Sequence, residues 1–272
     1  MRALRTLVPL LGALLLNTAG AAEGWQVEAG AGVEHADNDS SDWQQFDLAL
    51  RSRFAPRSVA ELTTRHTRRH GYDDHEIGAG LALPLGGDWS LAASATASPS
   101  HRVLARASGR VDLARAFEGG WVLSAGVGRS LFDGVGTGKS GSSSWRLSGE
   151  RYVGDWRLMA GLVRTRLDGG QTDGGGLLQV DRYVGERGRV GVFYARGREL
   201  ENVPELAGVV STRVDTYGLL TIWPLSTDWA LVGSIGRSRN SDRVLRTGPG
   251  AGGAAGADYR RDGIRLGVQH DF

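Results

Sequence analysis

The feature that most constrains this chain is a strict period of two in its hydrophobicity, clearest in its last nine residues. Ile264, Leu266, Val268 and Phe272 alternate with Arg265, Gly267, Gln269 and Asp271, and the sequence ends on the aromatic ring. A period of two places one set on each face of an extended strand. The same pattern recurs upstream: Phe46, Leu48, Leu50 and Phe54 alternate with Asp47, Ala49, Arg51 and Arg53. A strand that is apolar on one face and charged on the other fits one element of a large sheet with two very different environments.

Composition narrows the class. There is no cysteine, so neither a disulfide nor a thiolate metal site is available. Glycine is abundant at 42 residues, but without a triplet period, which excludes collagen. After the first segment no stretch is apolar for about 18 residues, so no transmembrane helix is expected. A membrane barrel is still allowed, because its alternating strands average out to a polar-looking chain.

Residues 1–22 read as a secretory signal peptide. Arg2 and Arg5 supply the positive end, Leu7 to Leu16 the apolar run, and Ala19-Gly20-Ala21 a small-residue cleavage site. The cut could equally follow Ala22. Arg2 and Arg5 are two of the 32 basic residues, which leaves residues 23–272 neutral against 30 acidic ones. Bulk charge therefore gives no case for nucleic acid.

Residues 23–272 read as one all-β domain, an antiparallel up-and-down transmembrane barrel of about fourteen strands. The expected strands are Trp25–Glu34, Trp43–Phe54, Val59–Arg68, His75–Leu83, Trp89 to Ser98-Pro99, Val103–Leu113, Trp121–Leu131, Ser144–Val153, Trp156–Leu167, Gly176–Val184, Arg189–Arg198, Val209–Trp223, Trp229–Arg239 and Tyr259–Phe272. Short connections such as Ala55-Pro56-Arg57 and Gly154-Asp155 alternate with generally longer polar ones such as Phe132 to Ser143 and Ser241 to Asp258. One missed hairpin keeps this phase, so twelve strands fit as well. Short turns and both termini would be periplasmic and long loops extracellular, in the outer membrane of a Gram-negative cell. Trp25, Trp89, Trp121, Trp156, Trp223 and Trp229 gather at the short-turn ends, with Trp43 and Trp145 at the other, as aromatic girdles would.

The final strand resembles the assembly signal of bacterial outer-membrane barrels, with His270 where an aromatic ring is usual. The resemblance implies the barrel-assembly machinery as a partner acting through Phe272, and outer-membrane lipid as surroundings. Further stretches carry a more particular likeness: Ser98-Pro99, Gly120-Trp121-Val122-Leu123, Arg151-Tyr152-Val153-Gly154-Asp155-Trp156-Arg157, Arg182-Tyr183-Val184-Gly185, Gly197-Arg198-Glu199-Leu200-Glu201 and Asp228-Trp229-Ala230-Leu231. Together, in this order, they resemble the YaiO family of outer-membrane barrels. That resemblance implies location and fold more than chemistry. Some relatives place helical repeats before the barrel; here the signal leads straight into the first strand, so no repeat domain is expected.

Function is expected on the inward face, because a charge facing lipid costs roughly 2–4 kcal/mol at the membrane midplane. Candidate lumen residues are Arg51, Arg53, Arg65, Arg106, Arg110, Arg146, Glu150 and Arg213. Guanidinium forks suit acidic or hydroxyl-rich solutes. The same residues, paired with acids, would brace a filled barrel. Candidate rim residues are Asp73, Asp74 and His75; a hydrolase at the extracellular rim would need a second cluster facing them, for which His101 or Glu199 and Glu201 are the candidates. Gly138-Lys139-Ser140 lacks the preceding glycine and the helix of a phosphate loop and reads as a loop. His66, His70, His75 and His101 fall on different strands and loops, so no metal site and no cofactor is expected. The expectation is a narrow pore or binding cavity for a polar solute, saccharide or acidic; a structural barrel without transport and a rim enzyme are the alternatives.

Overall fold

The computed structural model describes residues 24–38, 42–134, 138–203, 208–245 and 252–272. The segment 1–22, expected to be a signal peptide, lies outside these residues. Fourteen strands form one closed barrel: β1 (Gly24–Ala36), β2 (Trp43–Ala55), β3 (Ser58–Arg69), β4 (Tyr72–Gly86), β5 (Trp89–Ala97), β6 (Ala107–Phe117), β7 (Trp121–Gly134), β8 (Gly138–Val153), β9 (Trp156–Leu167), β10 (Thr172–Val184), β11 (Gly188–Val203), β12 (Gly208–Pro224), β13 (Trp229–Leu245) and β14 (Tyr259–Asp271). Each strand pairs antiparallel with its sequence neighbours, and β1 closes on β14, so the barrel leaves no free sheet edge.

The alternation read from the sequence sets the two faces. Leu48, Leu62, Ile77, Val127, Leu162, Leu178, Leu219 and Leu266 all point outward and are exposed. An apolar belt of this kind is favourable against hydrocarbon and unfavourable against water. At the short-turn end the belt finishes in a repeated pair. Trp89, Trp121 and Trp156 each open a strand and sit opposite Arg115, Arg151 and Arg182 on the neighbouring strand. Each guanidinium lies over its indole, 5.3, 4.7 and 5.6 Å from the ring centroid. An amphipathic ring with a cation above it suits a membrane–water boundary.

Four features depart from the sequence reading. The sixth strand begins at Ala107, not Val103; residues 98–106 form a connection in which Val103 and Leu104 are buried. The β3–β4 connection is not long: His70-Gly71 forms a tight turn with φ of 51° and 75°, the backbone that a two-residue hairpin needs. Trp43 is not part of a lipid-facing girdle. It lies on the inward row of β2 with Gln45 and is only 3% exposed. Several expected loops are instead strand: β7 runs on to Gly134, β11 to Val203 and β13 to Leu245.

Glycine bends the wall where strands crowd. Gly30 pairs with Gly267 across the closing seam, and a Cβ on Gly267 would lie 2.6 Å from the Ala29 carbonyl oxygen. Gly218 and Gly236 make a similar pair across β12 and β13. Such glycine kinks are the corners by which a twisted sheet closes.

Candidate functional site

The inward faces build a lumen whose sides differ. On β14, β1, β2 and β3 it is charged. Arg265 donates to Glu28 at 2.8 Å and to Asp47 at 3.0 Å; Arg51 donates to Glu28 at 3.0 Å, to Glu61 at 2.5 Å and to Gln26 at 2.9 Å. Arg65 stands 3.5 Å from Glu76. Around β8 to β10, Arg157 lies 3.1 Å from Glu150 and 3.3 Å from Asp181, while Tyr152 donates to Glu150 at 2.7 Å. Asp112 ties Arg110 to Arg146. Charges taken from water are tolerable when paired and hydrogen-bonded in this way.

The opposite side carries hydroxyls. Thr96, Ser108, Ser130 and Ser142 stand side by side on consecutive strands, each opposite the next. Thr96 and Ser108 share a hydrogen bond of 2.7 Å, and Ser124 and Ser148 one of 2.5 Å lower down. Ser94, also on an inward row, is exposed, Thr96, Ser108 and Ser130 are half-buried, and Ser142 is buried.

At the long-strand end the lumen is crossed twice. Glu199 of β11 is 3.4 Å from Arg69 of β3 and accepts a hydrogen bond of 3.0 Å from Arg261 of β14. Both guanidiniums also lie over the Trp43 indole, 3.7 and 4.1 Å from its centroid. Beside this cluster, Ala105 of the β5–β6 connection, Phe132 of β7, Val209 of β12 and Leu200 of β11 pack into one apolar group. The β5–β6 connection is held down by Asp74. Its carboxylate accepts the backbone N–H groups of Arg102 and Val103 at 2.8 Å and Leu104 at 2.7 Å.

The candidate lumen residues divide. Arg51, Arg65, Arg110, Arg146 and Glu150 face inward in the ion pairs above, and Arg53 occupies the same inward row as Arg51 near the short turn. Arg106 does not line the barrel's middle. It precedes β6 at the mouth, 3.5 Å from Asp133. Arg213 faces outward and is exposed, 3.7 Å from Asp242. It shares the outer row of β12 with Asp215 and Tyr217, above a register shift between Ser211 and Arg213.

The candidate rim residues do not converge. Both Asp74 oxygens are engaged by backbone N–H groups. Asp73 lies 3.3 Å from His66, whose ring is 4.6 Å from that of His75. Glu199 turns inward to Arg69 and Arg261, and the Glu201 side chain lies outside the described residues. Among the described residues no cluster of three or more His, Asp or Glu side chains could hold a metal ion. Arg69, Arg261 and the serine row were missed from the sequence. The serines were legible as alternate positions on adjacent strands. The partners of Arg69 were not, because they lie far away in the chain.

A closed antiparallel barrel, apolar outside and polar inside, defines a transmembrane barrel of the outer-membrane type. No protein-family model and no curated protein matches the chain. Solved structures do. The CymD monoaromatic hydrocarbon channel matches with a TM-score of 0.60 at 9% identity, over 93% of this chain and 89% of that one. A bacterial polysaccharide outer membrane secretin matches with a TM-score of 0.54 at 10% identity, over 91% and 98%. At such identities the likeness is one of fold.

Proposed function

We propose that this barrel binds and passes a small polar solute of the saccharide type along the hydroxyl-lined side of its lumen. The observation that carries the reading is the row Thr96, Ser108, Ser130 and Ser142, four small hydroxyl side chains level with one another on β5 to β8. Hydroxyls both donate and accept, as a sugar does. The inward arginines are largely committed to carboxylates, so they set the shape of the passage rather than offering free cations to an acidic solute. In this reading the chain is a YaiO-type barrel, exported by its signal segment, assembled through the strand ending in Phe272 and oriented with both termini in the periplasm.

The test is single-channel recording of refolded residues 23–272 in planar bilayers, with liposome swelling in a disaccharide. Discrete currents and swelling are expected, both sharply reduced when Ser108→Leu and Ser130→Leu are combined. A folded protein that gives neither current nor swelling would sink the proposal.

The crossing at Glu199 supports a second reading, a closed envelope scaffold. In that case replacing Glu199 would change stability without producing any current.

A further inference from the structure

The ladder between β10 and β11 stops early. It runs from Val184 opposite Gly188 to Gly176 opposite Arg196. Both strands continue beyond this point. β10 stays paired to β9 as far as Thr172 opposite Arg166, and β11 stays paired to β12 as far as Val203 opposite Gly208. Residues 172–175 and 197–203 therefore have no backbone pairing with one another, and beyond Gly197 the β11 side chains Glu199 and Leu200 turn to the lumen, so the ladder of the wall opens into a slit here. A comparable gap lies between β4 and β5, beyond Ile77 opposite Ala97, but there Ser98 donates to the His75 carbonyl at 2.7 Å and the connection anchored on Asp74 fills it.

The slit is built from glycine. Gly174, Gly175 and Gly176 stand on one side and Gly197 on the other. A Cβ on Gly175 would lie 2.5 Å from the Arg196 carbonyl oxygen and 2.9 Å from the Gly197 Cα, so the strands touch here before they part. A cavity of about 100 Å³ opens at this place, with Leu147 and Leu162 of the outward rows and Val163, Leu177 and Val214 of the inward rows in its lining. It is somewhat smaller than the roughly 150 Å³ apolar cavity that takes up a benzene ring. An ion pair laces the slit, Arg198 Nε to Asp173 Oδ1 at 3.0 Å. On the outside the apolar belt ends at this level. Leu162 is exposed, and Arg164, Arg166 and Arg196 follow as exposed cations. Neither Arg164 nor Arg166 has an ion-pair partner among the described residues.

We propose that the slit is a lateral portal for a single-chain anionic amphiphile. Its chain occupies the cavity beside Leu177, its head lies against Arg164 and Arg196, and it exchanges between the lumen and the membrane leaflet at this level. Apolar lining on both faces of the wall suits a chain crossing it, and guanidinium groups at the belt's edge suit a carboxylate or phosphate. This inference needs the barrel to lie in a membrane. It does not rest on passage along the barrel axis.

The test is photolabelling of the refolded barrel in nanodiscs with a medium-chain alkyl carboxylate carrying a terminal diazirine, and in parallel with a phospholipid carrying the same chain. Labelled residues are mapped by peptide mass spectrometry. Label on Val163, Leu177 or Val214 from the alkyl carboxylate is expected; lumenal label delivered by the phospholipid alone overturns the single-chain occupant. Leu177→Trp should fill the cavity and lower lumenal label about tenfold, the loss that about 1.4 kcal/mol of binding represents, while label on Leu147 stays. A Gly174→Cys, Arg198→Cys pair, in a chain without native cysteine, closes the slit on oxidation and should abolish lumenal label. Label confined to Leu147 and Leu162 in the parent protein overturns the proposal. So does lumenal label that persists in the oxidised pair or in Leu177→Trp, because the probe would then arrive along the axis or sit elsewhere.

Discussion

The Glu199 carboxylate lies 3.4 Å from the Arg69 guanidinium although β11 and β3 are six strands apart around the barrel. The contact spans the lumen, and Arg261 of β14 completes it from a third direction at 3.0 Å. Side chains 130 residues apart in the chain thus narrow the long-strand end of the passage from within.

Glu199→Ala removes the carboxylate that both cations share. Breaking a buried pair in this way costs about 3–5 kcal/mol, to be read by urea unfolding of the barrel in lipid vesicles. Currents should grow in the same variant. A variant that conducts no better than its parent would mean that the passage is narrowest at some other level.

Asp74 binds a turn of backbone, so its loss should loosen the β5–β6 connection and leave the strands in place. Asp74→Ala leaves three N–H groups without their acceptor, at a cost of about 1–3 kcal/mol. Limited proteolysis should then cut within residues 101–106 while the barrel keeps its heat-modifiable migration. Asp74→Asn, which retains one acceptor oxygen, should be cut more slowly.

Gly267→Ala puts a methyl group 2.6 Å from the Ala29 carbonyl oxygen on the strand that closes the barrel. The backbone must shift, at about 1–3 kcal/mol for overpacking, and refolding should slow because β1 and β14 form the last seam. Gly80→Ala is the control, since its new methyl would meet nothing nearer than 3.8 Å. Equal refolding of the two variants would remove the steric reading.

In the turn after β9, Asp168 is held by Arg129, which donates to its two oxygens at 2.6 and 2.7 Å. These hydrogen bonds keep the Asp168 carboxyl below the usual carboxylate range. A depressed pKa stabilises the fold above the unfolded value, about 3.9 for Asp, and the contribution is lost as pH falls through the lower folded value. Protection of the Asp168 amide, which donates to the Gly141 carbonyl at 3.0 Å, should hold from pH 7 to about 5 and fade only below about 4. Asp168→Asn should remove that pH dependence.

What the sequence by itself determined was everything that repeats locally. Period-two alternation assigned Leu48 to lipid and Asp47 to the lumen without reference to any other strand, because successive side chains on a strand must point to opposite faces. The same rule, with the turn glycines and the tryptophans at strand starts, supplied a count of about fourteen strands, with twelve also allowed, and the inward rows carrying Arg51, Arg110 and Glu150. It failed where a neighbour decided the outcome. Val103 to Ala105 alternate like a strand but curl inward, because Asp74 offers their N–H groups a better acceptor than an adjacent strand could. Trp43 looks like a girdle residue but turns inside, where Arg69 and Arg261 cover both its faces. Arg213 was placed in the lumen because it is charged, although the alternation puts it on the outer row with Tyr217 and Leu219. Which carboxylate meets which guanidinium, and where the wall parts beyond Gly175 and Gly197, depends on how fourteen twisted strands close on one another. Closure brings together residues more than a hundred positions apart, and no pattern within a single strand encodes which of them will meet.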